Sequence, residues 1–283
     1  VGTRNNVYGY GGGTILQSST GATGSWGSPP YIYTDPNAIL EYQGGNRVEL
    51  ACAPSNANVI YAVGSGGSGA NDISFFKKSI DGGSNWTDVT IPTFKDEDDN
   101  DIHFTREQAG YDLILGVYPD DEQVVIAGGI DLYGTDDGGS TWDQISGWWL
   151  TPGDPNYAHA DQHNIIFRPG NSNTVLFAND GGMQMRDIPE GDFTVKNSGY
   201  NVTQFYSAAL HPEVENNYFL AGSQDNGTQQ FQNASGIVST VEATGGDGGY
   251  CFIDQNDPLI QITSYVFNNY FKSSDGGLDF NDL

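Results

Sequence analysis

The stretch Thr135-Asp-Asp-Gly-Gly-Ser-Thr-Trp142 decides the fold, because its pattern recurs at residues 79–86 and 273–280. The pattern is a small polar residue, any residue, Asp, Gly, Gly, two variable residues and an aromatic residue. We expect the Asp carboxylate to accept hydrogen bonds from turn N–H groups and the glycines to take positive φ. The aromatic ring is expected to pack between sheets. Three copies at intervals above about 40 residues indicate a propeller, a solenoid or another array.

A pair of hydrophobic strands separated by a corner residue can be aligned five times along the chain. The corners are Pro54, Pro119, Pro169, Pro212 and Asp254, with spacings of 65, 50, 43 and 42 residues. The shorter spacings match a four-stranded propeller blade of roughly 40–50 residues. The two longer spacings predict insertions, which we place at residues 91–110 and 147–163.

The start of the chain predicts part of a sixth blade. Residues 8–26 resemble a degenerate copy of the turn, with Thr20 in the position of the Asp. Helical periodicity is absent, and 39 Gly with 12 Pro disfavour helices. We therefore predict an all-β chain: a β-propeller of four-stranded blades, five of them complete and one partial. Residues 1–283 are expected to form a single propeller domain that is a segment of a larger ring or protein.

The charge of the chain restricts its partners. Asp and Glu number 36 against 10 Lys and Arg, a formal net charge of −26. Nucleic acids and anionic membranes are therefore unfavourable partners, and no apolar run approaches the roughly 18 residues of a membrane span. High acidity suits a soluble secreted protein. The two cysteines, Cys52 and Cys251, lie in predicted innermost strands and are expected to be buried free thiols.

The three turns resemble Asp-box (BNR) repeats, which occur in sialidases, sortilin-type receptors and xyloglucanase-like propellers. More specific segments are His159-Ala-Asp-Gln-His163, Asn179-Asp-Gly-Gly182 and Gly222-Ser-Gln-Asp-Asn-Gly-Thr228. These resemble exported bacterial Asp-box propellers of the sortilin-like or glycosyl-hydrolase-like kind. The resemblance implies an extracellular or cell-surface protein, often with further domains. The likeness to sialidases ends at the turns, because no set of three arginines that would clamp a carboxylate sugar is evident.

Blade topology predicts which side chains meet. Loops between blades and loops between second and third strands open on the same face around the propeller axis. The candidate residues in such loops are His159, Asp161, His163, Asp180, Asp225 and Asp247, together with Arg106 and Glu107. We expect at least Asp161, His163, Asp180 and Asp225 to cluster on this axial face. The Asp-box residues Asp81, Asp137 and Asp275 belong to the opposite face, where we assign them a structural role.

Several functions are compatible with these residues. Two carboxylates among Asp161, Asp180, Asp225 and Asp247 would serve as acid and base in glycoside hydrolysis. His159, Asp161 and His163 would point the same way in an extended segment, where they would bind a metal, bind a ligand or hydrogen-bond the neighbouring blade. Asp180 and Asp225 also suit tight turns. We expect no cofactor; calcium is the one alternative that the acidity suggests, although no D-x-D-x-D-G loop is present.

Trp148 and Trp149 are adjacent in a Pro/Gly-rich insertion, so both cannot face one side of a sheet. We expect one to pack under its loop and the other to offer a stacking platform to a sugar ring or a partner side chain. The function predicted first is that of a secreted recognition or scaffold propeller that binds a protein or glycan. The alternative is a glycoside hydrolase acting on a polysaccharide, for which no acid/base pair can be named from sequence.

Overall fold

The computed structural model describes residues 15–27, 47–66, 73–95, 99–188, 190–200, 203–232 and 240–283. Within these ranges the chain contains no α-helix, and the one helical turn is a 3-10 turn at Val266–Asn268. The described part also contains no helix with the length and hydrophobicity needed to cross a bilayer. The all-β prediction is confirmed.

Five four-stranded antiparallel sheets each follow the chain from one strand to the next. The first is β1 (Arg47–Ala53), β2 (Asn56–Ser65), β3 (Ile73–Ser79) and β4 (Thr87–Asp88). The second is β7 (Ile114–Val117), β8 (Val125–Gly128), β9 (Leu132–Thr135) and β10 (Asp143–Gln144). The third is β11 (Gln162–Phe167), β12 (Thr174–Asn179), β13 (Gly182–Asp187) and β14 (Thr194–Val195).

The fourth sheet is β15 (Phe205–Leu210), β16 (Phe219–Ser223), β17 (Thr228–Phe231) and β18 (Thr240–Thr244). The fifth is β19 (Cys251–Ile253), β20 (Gln261–Ser264), β21 (Tyr270–Ser273) and β22 (Asn281–Asp282). A small hairpin of β5 (Thr93–Lys95) and β6 (Asp101–His103) lies within the predicted insertion at residues 91–110. The sheets are the five four-stranded β-propeller blades that the repeat predicted.

The chain forms two compact units, Val1–Lys196 and Asn197–Leu283. The first unit holds the first three sheets, and the second unit holds the last two. In the first unit β7 contacts β1 and also β11, and in the second unit β15 contacts β19. The first strands of successive sheets are thus neighbours within each unit, as in propeller blades. That residues 1–283 form one domain stays a prediction.

The middle sheet of the first unit buries both of its faces. Leu115 and Val125 pack with the first sheet, in a cluster that includes Tyr61 and Phe76. The alternate residue Ile114 packs with the third sheet. Successive side chains of a strand point to opposite faces, which explains why every residue of β7 and of β8 is buried. A fully buried large apolar side chain contributes about 1.5–3 kcal/mol to stability.

The three repeated turns have the hydrogen bonds that the sequence predicted. Asp137 Oδ1 accepts the N–H groups of Ser140 at 2.8 Å and of Thr141 at 3.0 Å. Gly138 and Gly139 have φ of 74° and 91°. The Trp142 ring lies 5.4 Å from that of Phe76 in the preceding sheet. The same Asp bonding recurs in the turns at 79–86 and 273–280.

The predicted degenerate turn is described from residue 15 onward, and residues 8–14 lie outside the described ranges. Gln17 and Gly27 form an antiparallel bridge. Between them Ser18 Oγ accepts the N–H of Thr20 at 3.2 Å and of Gly21 at 2.8 Å. The serine hydroxyl therefore holds this turn in the way that Ser79 Oγ holds the turn at residues 79–86.

The expectation for the two cysteines is half wrong. Both are free thiols, and Cys251 in β19 is buried, but Cys52 in β1 is exposed. The cause is the alternation of β1, in which Ala51 and Ala53 face the core and Cys52 points away from it.

Replacing Asp137 with Asn should lower the Tm by a few degrees at pH 7, because a neutral amide accepts hydrogen bonds more weakly than a carboxylate. The bonds from Thr141, followed by that from Thr135, hold the pKa of Asp137 well below its usual range. Its contribution is therefore complete above the unfolded-state pKa of about 3.9 and lost as the pH falls further.

Thermal unfolding followed from pH 7 down to about pH 2 should show the Tm difference between the two proteins narrowing below about pH 4. The exposed neighbour Asp136, changed to Asn, is the matched control and should leave the Tm unchanged. A pH-independent difference between wild type and Asp137→Asn would contradict the assignment.

Candidate functional site

Four aspartates of the first unit lie in linkers or in loops between second and third strands. Asp112 precedes β7, Asp131 lies between β8 and β9, Asp161 precedes β11, and Asp180 lies between β12 and β13. These loops share one end of the blades, because every second strand runs back toward the point at which the first began. The group is called the first-unit site below.

Asp180 is held by two hydrogen bonds. Its Oδ1 lies 2.6 Å from His163 Nε2, and its Oδ2 accepts the Tyr111 hydroxyl at 2.7 Å. The rings of Tyr111 and His163 meet edge to face with centroids 4.9 Å apart. Asp180 is largely covered and His163 is about one-third exposed. A carboxylate, an imidazole and a phenol are thus held in one fixed arrangement.

Asp161 departs from the extended backbone expected for this segment, because its φ is +65°. Its N–H donates to Ile130 O at 3.2 Å, and the next residue donates to Gly129 O at 2.8 Å. These bonds attach the linker to the loop between β8 and β9, and Asp161 makes its bond in a left-handed conformation. A carboxylate oxygen of Asp161 lies within 4.8 Å of one from Asp180. The closeness of the two carboxylates makes it costly for both to be ionised.

Several charges act on Asp161. Partial burial raises its pKa, and the negative charge of Asp180 acts in the same direction. A hydrogen bond from Asp112 and the nearby His163 and His159 oppose this shift.

His159 packs closely on the loop between β12 and β13. A Cβ added at Gly181 would lie 2.4 Å from the His159 ring. The His159 N–H donates to Gln184 Oε1 at 3.0 Å, and its Nδ1 lies 3.2 Å from Ala160 O. One ring nitrogen of His159 therefore faces a carbonyl, just as one of His163 faces Asp180.

Asp112 was not predicted from the sequence. It is fully buried and faces the Asp161 carboxyl, and burial raises its pKa to about 9, with the Asp161 charge adding to the shift. Asp112 is therefore a neutral acid at pH 7.

Asp131 was also missed. Burial raises its pKa to about 6, although the Trp148 N–H and the Arg106 guanidinium oppose this. Arg106 Nη2 donates to Asp131 Oδ2 at 2.8 Å, and its guanidinium lies 3.9 Å from the centroid of the Phe94 ring. Arg106 and its neighbour Glu107 both have positive φ, at 46° and 66°. This linker therefore carries backbone strain beside the site.

Trp148 and Trp149 both remain exposed, at 46% and 55%. The expectation that one would pack under the loop is wrong. The Trp148 N–H is bound to Asp131 Oδ1 at 3.0 Å, and the Trp149 ring lies 5.9 Å from the Arg106 guanidinium. These contacts hold the Trp148 backbone and one face of the Trp149 ring. Much of both indole rings remains exposed to solvent.

The second unit contains Asp225 and Asp247. The N–H of Asp225, which has a φ of 61°, donates to Asp247 Oδ1 at 3.1 Å. Their loops are joined by backbone bonds from Gly227 to Gly246 O and from Gly248 to Ser223 O. A Cβ on Gly248 would lie 2.1 Å from Gly227 O, so only glycine permits this approach.

A positional rule would have found the missed residues. Asp131 follows its second strand as Asp180 and Asp225 follow theirs, and Asp112 precedes a first strand as Asp161 does. Applying the loop argument to every blade would have selected both. No feature of the sequence indicates that Asp112 is buried.

Comparisons with known proteins show only weak similarities. No protein-family model and no functionally curated protein matches the chain. Three solved structures with partial likeness are β-propeller proteins. The GH74 xyloglucanase of Xanthomonas campestris is 15% identical with a TM-score of 0.38, over 83% of this chain and 38% of its own.

The GH74 enzyme of Niastella koreensis is 18% identical with a TM-score of 0.37, over 86% of this chain and 38% of its own. YCF48 from Cyanidioschyzon merolae is 11% identical with a TM-score of 0.39, over 91% of this chain and 74% of its own. The match thus spans little more than a third of either GH74 enzyme. Similarities this low do not assign a function to the chain.

Replacing Gly181 with Ala should destabilise the protein by about 1–3 kcal/mol, because the new methyl group overlaps the His159 ring. Chemical denaturation would measure the loss, and the histidine NMR signals should report displacement of one ring. Gly27→Ala is the control, since open space surrounds that position. Equal stability of the two variants would show that His159 is not held against Gly181.

Proposed function

We propose that this chain is an extracellular or cell-surface recognition propeller that binds a glycan or protein at the first-unit site. A glycan suits the side chains best, because an exposed indole can stack on a sugar ring while fixed carboxylates accept its hydroxyl protons. His159, Asp161, His163 and Asp180 would contact the ligand, with Trp148 and Trp149 beside them. Asp225 is proposed as a separate ligand contact within the second unit.

This proposal rests mainly on Asp180, whose carboxylate is held in one position. Both of its oxygens are already hydrogen-bonded, one to His163 and one to Tyr111. Such a carboxylate is a fixed acceptor and is poorly suited to attack a substrate. The acid with the most strongly raised pKa, Asp112, is fully buried and would not reach a glycosidic oxygen.

Hydrolysis is the second candidate function, and the closeness of Asp161 and Asp180 favours it. Their oxygens lie within 4.8 Å, near the separation of about 5–5.5 Å found in retaining glycosidases. Asp161 is partly exposed and has a raised pKa, as a general acid requires. Asp180 would then be the nucleophile. Asp225 and Asp247 remain further candidates for acid/base work in the second unit.

The Asp-box resemblance and the net charge of −26 support the extracellular assignment and the proposed class of partner. A surface this acidic repels phosphate backbones. We accordingly propose no nucleic-acid partner and no membrane insertion, and we propose that further domains of the same protein accompany the propeller.

The proposal predicts that wild-type protein is retarded by at least one member of a panel of neutral polysaccharides in affinity electrophoresis. Trp149→Ala should weaken binding roughly 2- to 10-fold, as expected for loss of one stacked ring. Asp180→Asn should weaken it by a similar factor through loss of a charged acceptor. Reducing-end release from the same polysaccharides should be absent for a binding protein.

Asp143→Asn is the matched control, since Asp143 is an exposed acid on the outermost strand of the second sheet, and it should bind like wild type. The recognition proposal fails if no polysaccharide and no protein ligand is bound, or if the control loses as much affinity as Asp180→Asn. Steady release of reducing ends that Asp161→Asn abolishes would instead establish the hydrolase.

A further inference from the structure

Asp112 lies in the linker before β7 with no exposed surface. Neither of its carboxyl oxygens receives a well-formed hydrogen bond from an N–H or O–H of another described residue. The polar group that it faces is the carboxyl of Asp161. Burying a carboxylate without donors is strongly unfavourable, and such a group keeps its proton instead.

We infer that Asp112 is a positioning residue, a neutral carboxylic acid that donates its proton to the Asp161 carboxylate and so fixes Asp161 in the first-unit site. Two carboxyl groups that face each other attract only when one proton lies between them. The proton remains on an Asp112 oxygen, and no bond forms or breaks.

The surrounding groups decide which carboxyl keeps the proton. Asp161 is partly exposed and lies near the imidazoles of His163 and His159, which favour its ionised form. Asp180 opposes that ionisation. The cation that faces Asp112 is Arg47 on β1, but its Nε is bound to Glu49 and its Nη1 to Tyr111 O, both at 2.7 Å. The fully buried Asp112 is therefore the better proton carrier.

The contact between Asp112 and Asp161 affects which ligands the first-unit site can bind. Asp161 sits on a left-handed residue that the linker bonds hold in place, and the Asp112 proton then occupies one of its oxygen lone pairs. The remaining lone pairs face the site as acceptors, which select ligands with hydroxyl or ammonium donors and disfavour anions. Because burial raises the pKa of Asp112 to about 9, this selection should persist through neutral pH and be lost in more alkaline solution.

Carbon-13 NMR of aspartate carboxyl groups, titrated from about pH 3 to pH 10 without ligand, tests the inference. Wild type and the control Asp143→Asn should each show one carboxyl carbon with a midpoint near pH 9. Asp112→Asn should lack that signal. The inference is overturned if no wild-type carboxyl titrates above about pH 7, or if the alkaline titration survives in Asp112→Asn.

Stability provides a second measurement. The folded protein retains a proton that the unfolded chain releases near pH 4, so wild-type stability should fall as the pH rises from about 4 to about 9. Asn keeps an N–H donor for Asp161 and does not titrate. The Tm of Asp112→Asn minus that of wild type should therefore increase between pH 5 and pH 8, and a constant or decreasing difference would contradict the inference.

The functional consequence rests on the proposed binding role of Asp161, and the NMR result does not. Asp112→Asn should hold a polysaccharide recognised by wild type up to higher pH than wild type does, whereas Asp112→Leu, which has no donor, should bind it weakly at every pH. If the alkaline carboxyl is present but no polysaccharide is bound, the proposed function alone fails.

Discussion

The first unit depends on covering both apolar faces of its middle sheet. In β7, Ile114 faces the third sheet while Leu115 faces the first. Gly116 is required on the same strand, because a Cβ there would lie 2.9 Å from Ile165 of the third sheet. A sheet buried on both sides offers only its ends and its outer edge to solvent. Binding groups must consequently lie in the loops.

Those loops contain more carboxyl groups than the neighbouring cations can pair with. Each carboxyl group is stabilised by a different set of contacts. Asp180 has an imidazole and a phenol, and Asp131 has the Arg106 guanidinium and a backbone N–H. Among the described residues, the cation that faces Asp112 is Arg47, which is already bound to Glu49 and to Tyr111 O, so Asp112 keeps its proton. Burying an unpaired charge is costly, so these contacts are not easily broken. They therefore hold the side chains rigidly, as a recognition site requires.

The sheets and turns could be predicted because they obey local rules. The pattern of the repeated Asp-Gly-Gly turn dictates its hydrogen bonds and glycine conformations, and the alternation of β7 through β9 dictates two buried faces. The loop geometry could not be predicted in the same way. The left-handed Asp161 depends on bonds to Ile130 and Gly129 of another sheet, and the exposure of Trp149 depends on how a long insertion folds. The exposure of Cys52, by contrast, follows from the alternation of β1, in which Ala51 and Ala53 face the core.

The same residue type plays opposite parts at the two ends of a blade, and the pKa shifts distinguish them. Asp137 is exposed and accepts several N–H groups, so its pKa is lowered and its charge stabilises the turn. Asp112 and Asp131 are buried at the other end, where their pKa values rise and their ionised forms are unfavourable. A carboxyl group whose ionised form is unfavourable does not stabilise the blade through its charge. Asp131 lies beside Arg106 and the exposed Trp148, and Asp112 faces Asp161. These positions are more readily understood if the carboxyls serve a ligand, which is why the carboxyls of these loops, rather than the repeated turn carboxyls, define the candidate site.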